Sequence, residues 1–74
     1  MPKKIGELKK ILRQEGFTEI VGKGSHTNWI HVLYNGKLTL SGKDSDDAKP
    51  YQEKAVKLAV GEVRRNKEDG QTEV

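Results

Sequence analysis

The dipeptide Asn35-Gly36, set between "TNWIHVLY" (27–34) and "KLTLS" (37–41), constrains this chain more than any other feature. Both residues tolerate positive φ, which a two-residue hairpin turn demands, and both flanks are rich in β-branched, aromatic or alternating residues. A two-residue turn at this point predicts Tyr34 opposite Lys37, Leu33 opposite Leu38 and His31 opposite Leu40, whereas a longer loop or a bulge would shift the second strand and exchange its two sets. Trp29, His31, Leu33, Leu38 and Leu40 then share one face of the sheet, the core face. Ile30, Val32 and Tyr34 share the other. A domain this small has nothing left to cover a second apolar face, so Ile30, Val32 and Tyr34 are the candidate partner surface.

The flanks of the hairpin read as helices. Ile5, Leu8, Ile11 and Leu12 recur at helical spacing between Lys3 and Glu15, and Gly16 suits the left-handed residue that ends a helix. "FTEIV" (17–21) is a short β-prone segment, broken by Gly22 and Gly24. Beyond Gly42 a polar loop leads to Pro50, which fits a first helical turn because its missing N–H is not needed there. Tyr51, Ala55, Leu58, Ala59 and Glu62 fall on one face of that second helix, widened by Val56, Val60 and Val63. The order α-β-β-β-α predicts an α+β fold, with a three-stranded antiparallel sheet and both helices on one face. Residues 1–66 make the single domain, and 67–74, without periodic apolar positions, read as a disordered polar tail.

Seventy-four residues without cysteine exclude a disulfide framework and a thiolate metal site. No apolar run is long enough for a signal peptide or a membrane span, so a cytoplasmic location is expected. The net charge of +3 is a mild bias. Its distribution says more, because Lys3, Lys4, Lys9, Lys10, Arg13 and Lys23 gather in the first third while acids gather in "KDSDDAK" (43–49). The first third is therefore the basic end, and Lys9, Lys10 and Lys23 are the contacts expected there for a nucleic-acid ligand.

"KGSH" (23–26) stands between the first two strands, and a turn there needs its glycine but not its histidine. His31, mid-strand among Trp29 and Leu33, reads as structural. His26 stands at the mouth of a strand, with Lys23 three residues away. Metal-free RNA cleavage needs a base for the 2′-hydroxyl, cationic groups on the phosphate and an acid for the leaving oxygen. His26 and Lys23 can fill two of these roles. On residue types alone a lone Gly-Ser-His is a weak signal, open also to a small RNA-binding domain without catalysis or to an interaction protein.

An N-terminal helix ending "EGF" (15–17), a short strand, "KGSH", a further strand, an Asn-Gly turn and a return strand together resemble the HicA toxins of HicA–HicB toxin–antitoxin modules. The resemblance spans roughly residues 4 to 64. It implies a fold similar to the double-stranded RNA-binding domain, and endoribonuclease activity on single-stranded or messenger RNA without a cofactor. It further implies His26 as the catalytic residue, Gly24 and Ser25 shaping the turn, Lys23 basic beside it, and inhibition by a HicB-like antitoxin. Where family members carry a basic approach to the last helix, this chain has the acidic "SGKDSDDAKPYQ" (41–52), expected to lie near the RNA path.

Overall fold

A computed structural model describes residues 3–71, with side chains through Glu68. Two helices and three strands follow in the order α1 (Ile5–Gln14), β1 (Thr18–Val21), β2 (Thr27–His31), β3 (Tyr34–Leu40) and α2 (Pro50–Gln71). The sheet is antiparallel in the order β1-β2-β3, as expected from the sequence. Both helices lay their buried stripes on one of its faces.

Each end of α1 is closed by backbone groups. At its start, Ile5 N–H donates to Asp46 O (2.9 Å) and Gly6 N–H to Asp44 O (3.0 Å), so the loop after β3 satisfies two donors that a helix leaves open. At its end, Gly16 (φ +93°) adopts the left-handed conformation, with Gly16 N–H donating to Arg13 O and Phe17 N–H to Leu12 O. That pair of bonds is the Schellman arrangement. Gly16 also has a steric reason to be glycine, since a Cβ would stand 3.2 Å from His31 Nε2.

The core is built from Ile5, Leu8 and Leu12 of α1, Phe17, Trp29, Leu38 and Leu40 of the sheet region, and Val56, Ala59 and Val63 of α2. Trp29 is fully buried, and its indole N–H is satisfied by Thr27 Oγ1 at 3.0 Å. Thr27 in turn donates to Leu40 O at 3.4 Å.

The hairpin departs from the expected register. Its turn is Val32-Leu33, with His31 paired to Tyr34, Trp29 to Leu38 and Thr27 to Leu40. Asn35-Gly36 lies instead in a bulge, where Gly36 has φ +92°. Neither Val32 nor Leu33 has positive φ, and a turn without it splays the strands. The glycine bulge just beyond restores the twist that pairing needs. Trp29–Leu38 and Thr27–Leu40 are displaced by four residues from the expected pairing and His31–Tyr34 by six, both even numbers, so Trp29, Leu38 and Leu40 are still the buried set. Tyr34 does not stay with Ile30 and Val32. It packs against the core with its ring 5.6 Å from that of Phe17, because the turn at Val32-Leu33 makes it the first residue of β3, opposite His31 and in phase with Leu38 and Leu40.

Two further expectations are corrected in α2. Its buried stripe is Gln52, Val56, Ala59 and Val63, whereas Tyr51 and Leu58 are exposed. The helix also continues to Gln71, past the boundary expected near residue 66; the remainder of the expected tail lies outside the described residues. Among the described residues no helix is long and apolar enough to cross a membrane.

Candidate functional site at the β1–β2 turn

Lys23-Gly24-Ser25-His26 forms a closed turn, with His26 N–H donating to Lys23 O at 3.0 Å. Gly24, second in the turn, has φ +60°, while Ser25, third, does not have positive φ. This is the sign pattern of a type II′ turn, which favours glycine in the second place and matches the twist of flanking strands. One step further out, Gly22 N–H donates to His26 O at 2.9 Å. A Cβ on Gly22 would stand 3.1 Å from that oxygen, a tight contact, so steric room favours glycine there as the positive φ does at Gly24.

The backbone of His26 is therefore held on both sides while its side chain is exposed. Alternation places it with Asn28 and Ile30 on the sheet face away from the helices, since Thr27 and Trp29 point into the core. The same face carries Ile20, which pairs with Asn28, and Thr39, whose hydroxyl donates to Asn28 Oδ1 at 2.7 Å. Ile20, Ile30 and Val32 are exposed there and at the hairpin tip.

His31 has the opposite character. Its Nδ1 accepts from Leu33 N–H at 2.9 Å, which leaves Nε2 to carry the proton and donate to Glu15 O at 3.2 Å. Its ring meets Phe17 edge-on at 5.1 Å. Both nitrogens thus hold the hairpin turn and the end of α1 in place.

Ser25 acts as a tie between loops: its Oγ accepts from Gly42 N–H at 3.4 Å. The β1–β2 turn, the loop leaving β3 and the start of α1 consequently stand at one end of the molecule. Lys43, next to Gly42, comes to the same end as Lys23, and both are exposed. Neither Lys43 nor the Asn28–Thr39 pair was legible as part of this site, because only the pairing of β2 with β3 brings them there.

The basic residues of the first third divide. Lys4 is paired with Asp47 (2.5 Å), Lys9 with Asp44 (2.7 Å) and Arg13 with Glu19 (3.3 Å). The hydrogen bond that Lys4 donates to Asp47 holds its ammonium above its ordinary range, and the one Asp44 accepts from Lys9 holds that carboxyl below its own. Lys9 is only 8% exposed, so in this conformation its charge serves the loop and faces no ligand. Lys10 and Lys23 are exposed and enter no ion pair with another described residue. The acidic loop therefore folds back on α1, and its acids neutralise Lys4 and Lys9. Among the described residues no three His, Asp or Glu side chains are gathered so as to hold a metal ion.

Comparison with known proteins gives one family. The model described as HicA toxin of bacterial toxin–antitoxin matches residues 5–61, from the first residue of α1 into α2. No curated protein and no solved structure matches the chain significantly.

Proposed function

This chain belongs to the HicA toxin family of bacterial toxin–antitoxin systems, and from that premise we propose that it is an endoribonuclease whose catalytic residue is His26. One observation carries the reading. Of the two histidines, His31 has both ring nitrogens engaged in structural bonds, while His26 presents an exposed imidazole from a turn closed by backbone hydrogen bonds. A held backbone with a free side chain is what a proton-transfer group needs.

In the reaction, the 2′-oxygen attacks the adjacent phosphorus, a P–O bond to it forms, and the bond to the 5′-oxygen breaks. His26 takes the 2′-hydroxyl proton or delivers a proton to the departing 5′-oxygen, with water serving the other transfer. Lys23, joined by Lys43, stabilises the charge that develops on the phosphate oxygens. Ser25 contributes by tying the turn to Gly42, and Gly24 by its positive φ. Single-stranded or messenger RNA is the substrate, reached along Lys23 and Lys10. The cleavage uses no metal.

The sheet face around His26 is also where a HicB-like antitoxin would act. Ile20, Ile30 and Val32 are exposed beside it, and a partner covering them would shield the histidine as well.

The test is RNA cleavage by His26→Ala and His31→Ala, each with and without a chelator. His26→Ala should lose cleavage and keep the parent thermal midpoint. His31→Ala should lower the midpoint, since it removes two hydrogen bonds and a ring contact. Cleavage at the parent rate by His26→Ala would remove the assignment, and loss of parent activity in chelator would remove the metal-free mechanism.

A further inference from the structure

On the far side of the molecule from the open sheet face, α1 and α2 diverge and leave a cleft of about 770 Å³ between them. Leu8 and Ile11 of α1 and Val56 and Val60 of α2 make its floor. Lys3, Lys54, Lys57 and Arg64 stand around it against a single acid, Glu53. Arg64 is engaged by Glu15 at one end, whereas Lys3, Lys54 and Lys57 pair with no other described residue. Gly61 deepens the cleft by lacking a side chain, and a Cβ there would meet nothing nearer than Arg65 Nη1 at 3.8 Å.

We propose that this cleft is a second interaction site, and that it takes an acidic amphipathic helix from a partner protein. Shape and chemistry select that occupant. The walls are helices whose N–H and C=O groups are already spent on each other, so an extended peptide would leave its own backbone polar groups unpaired. A helix brings them satisfied. From Glu53 to Arg64 the α2 wall runs about 16 Å at 1.5 Å per residue, or three turns of a docked helix. Two apolar rows on such a helix, at i, i+3/i+4 and i+7, fill the floor, and acids on its flanks meet Lys54, Lys57 and Lys3. RNA fits less well, because no aromatic ring lines the cleft to stack a base. A flat membrane cannot reach a concave floor. The site lies apart from His26 and holds whether or not His26 is catalytic.

The experiment uses the full chain and a fluorescein-labelled helical peptide of about four turns, with Leu at i, i+3, i+4 and i+7 and Glu elsewhere. Its controls are the same peptide with Lys for Glu, and one with the leucines scattered around the helix. The acidic amphipathic peptide should bind saturably and the controls at least about tenfold more weakly, a difference of about 1.4 kcal/mol. Gly61→Leu, which fills the cleft, and the double variant Lys54→Glu/Lys57→Glu should each weaken binding about tenfold or more. His26→Ala should bind like the parent. Thermal melts accompany each variant; should Gly61→Leu not fold, the surface charge variant decides alone. Equal binding of the scattered peptide, or unchanged affinity in the charge variant, overturns the proposal. So does a result in which the charge variant loses a fluorescent RNA oligonucleotide but not the peptide.

Discussion

Lys9 Nζ lies 2.7 Å from Asp44 Oδ1, and this contact joins a side chain buried on α1 to the exposed loop that follows β3. The loop's own carbonyls cap the same helix, at Ile5 N–H and Gly6 N–H. The acidic segment is thus part of how α1 begins, and Lys9 is its anchor.

Lys9→Met should therefore be tolerated in RNA binding, since the aliphatic stem already packs in the protein and the charge is already neutralised. Asp44→Ala should lower the thermal midpoint clearly, because it strands the Lys9 ammonium without a partner. Lys10→Gln and Lys23→Gln should weaken RNA binding and flatten its salt dependence, with unchanged circular dichroism. If Lys9→Met loses RNA affinity as much as Lys23→Gln, the loop does not hold Lys9 as described.

The hairpin tip separates packing from partner binding. Val32 is 97% exposed, so Val32→Lys should move stability by no more than about 0.5 kcal/mol. Antitoxin affinity should fall more than about tenfold, with RNA cleavage largely intact. Tyr34→Lys should instead lower the thermal midpoint, for its ring packs on Phe17 and the core. A large loss of midpoint in Val32→Lys would place that side chain inside.

Gly36 and Gly61 should respond in opposite directions to alanine. Gly36, at φ +92°, would force a side chain into the left-handed region, and Gly36→Ala should cost about 1–2 kcal/mol. Gly61 lies within α2 with room for a Cβ, and Gly61→Ala should stabilise by about 0.5–1 kcal/mol. Denaturant midpoints of the two variants, moving apart, check both.

Acid should expose the tie between the end of α1 and α2. Arg64 Nη2 donates to Glu15 Oε2 at 2.8 Å and Nε to Oε1 at 3.3 Å, and this fork holds the Glu15 carboxyl below its ordinary value of 4.5. A carboxyl lowered in the folded state contributes stability that is present above 4.5 and is lost as pH falls through the folded value. The Asp44 carboxyl, lowered by Lys9, adds the same sign from its ordinary 3.8 downward. Thermal midpoints should fall on acidification below pH 4.5, and Glu15→Gln should make that fall shallower. An unchanged slope in Glu15→Gln would leave the fork without a role in stability.

The features legible along the chain are local ones. Helical spacing placed Ile5, Leu8 and Leu12 on one buried stripe, Gly16 ended the helix, Pro50 opened the last one, and Gly24 shaped the turn that carries His26. Each of these depends on a residue and its nearest few neighbours. The inward face of Trp29, Leu38 and Leu40 was legible through alternation, which any even displacement preserves, whereas Tyr34 changed face when the turn moved. Contacts between distant segments set the rest. Glu62 accepts from Asn35 N–H at 2.9 Å and Asn66 donates to Leu33 O at 2.7 Å, so α2 grips the hairpin tip from far along the chain. Those bonds, with Trp29 buried against Leu38 and Leu40, accompany a turn at Val32-Leu33 and leave the Asn-Gly pair to form a bulge. The same long-range folding turned the acids of 44–47 onto Lys4 and Lys9 and drew Lys43 toward Lys23. A turn signal is worth about a kilocalorie per mole, whereas a buried indole and its neighbours contribute several, so where the two disagree on register the core prevails.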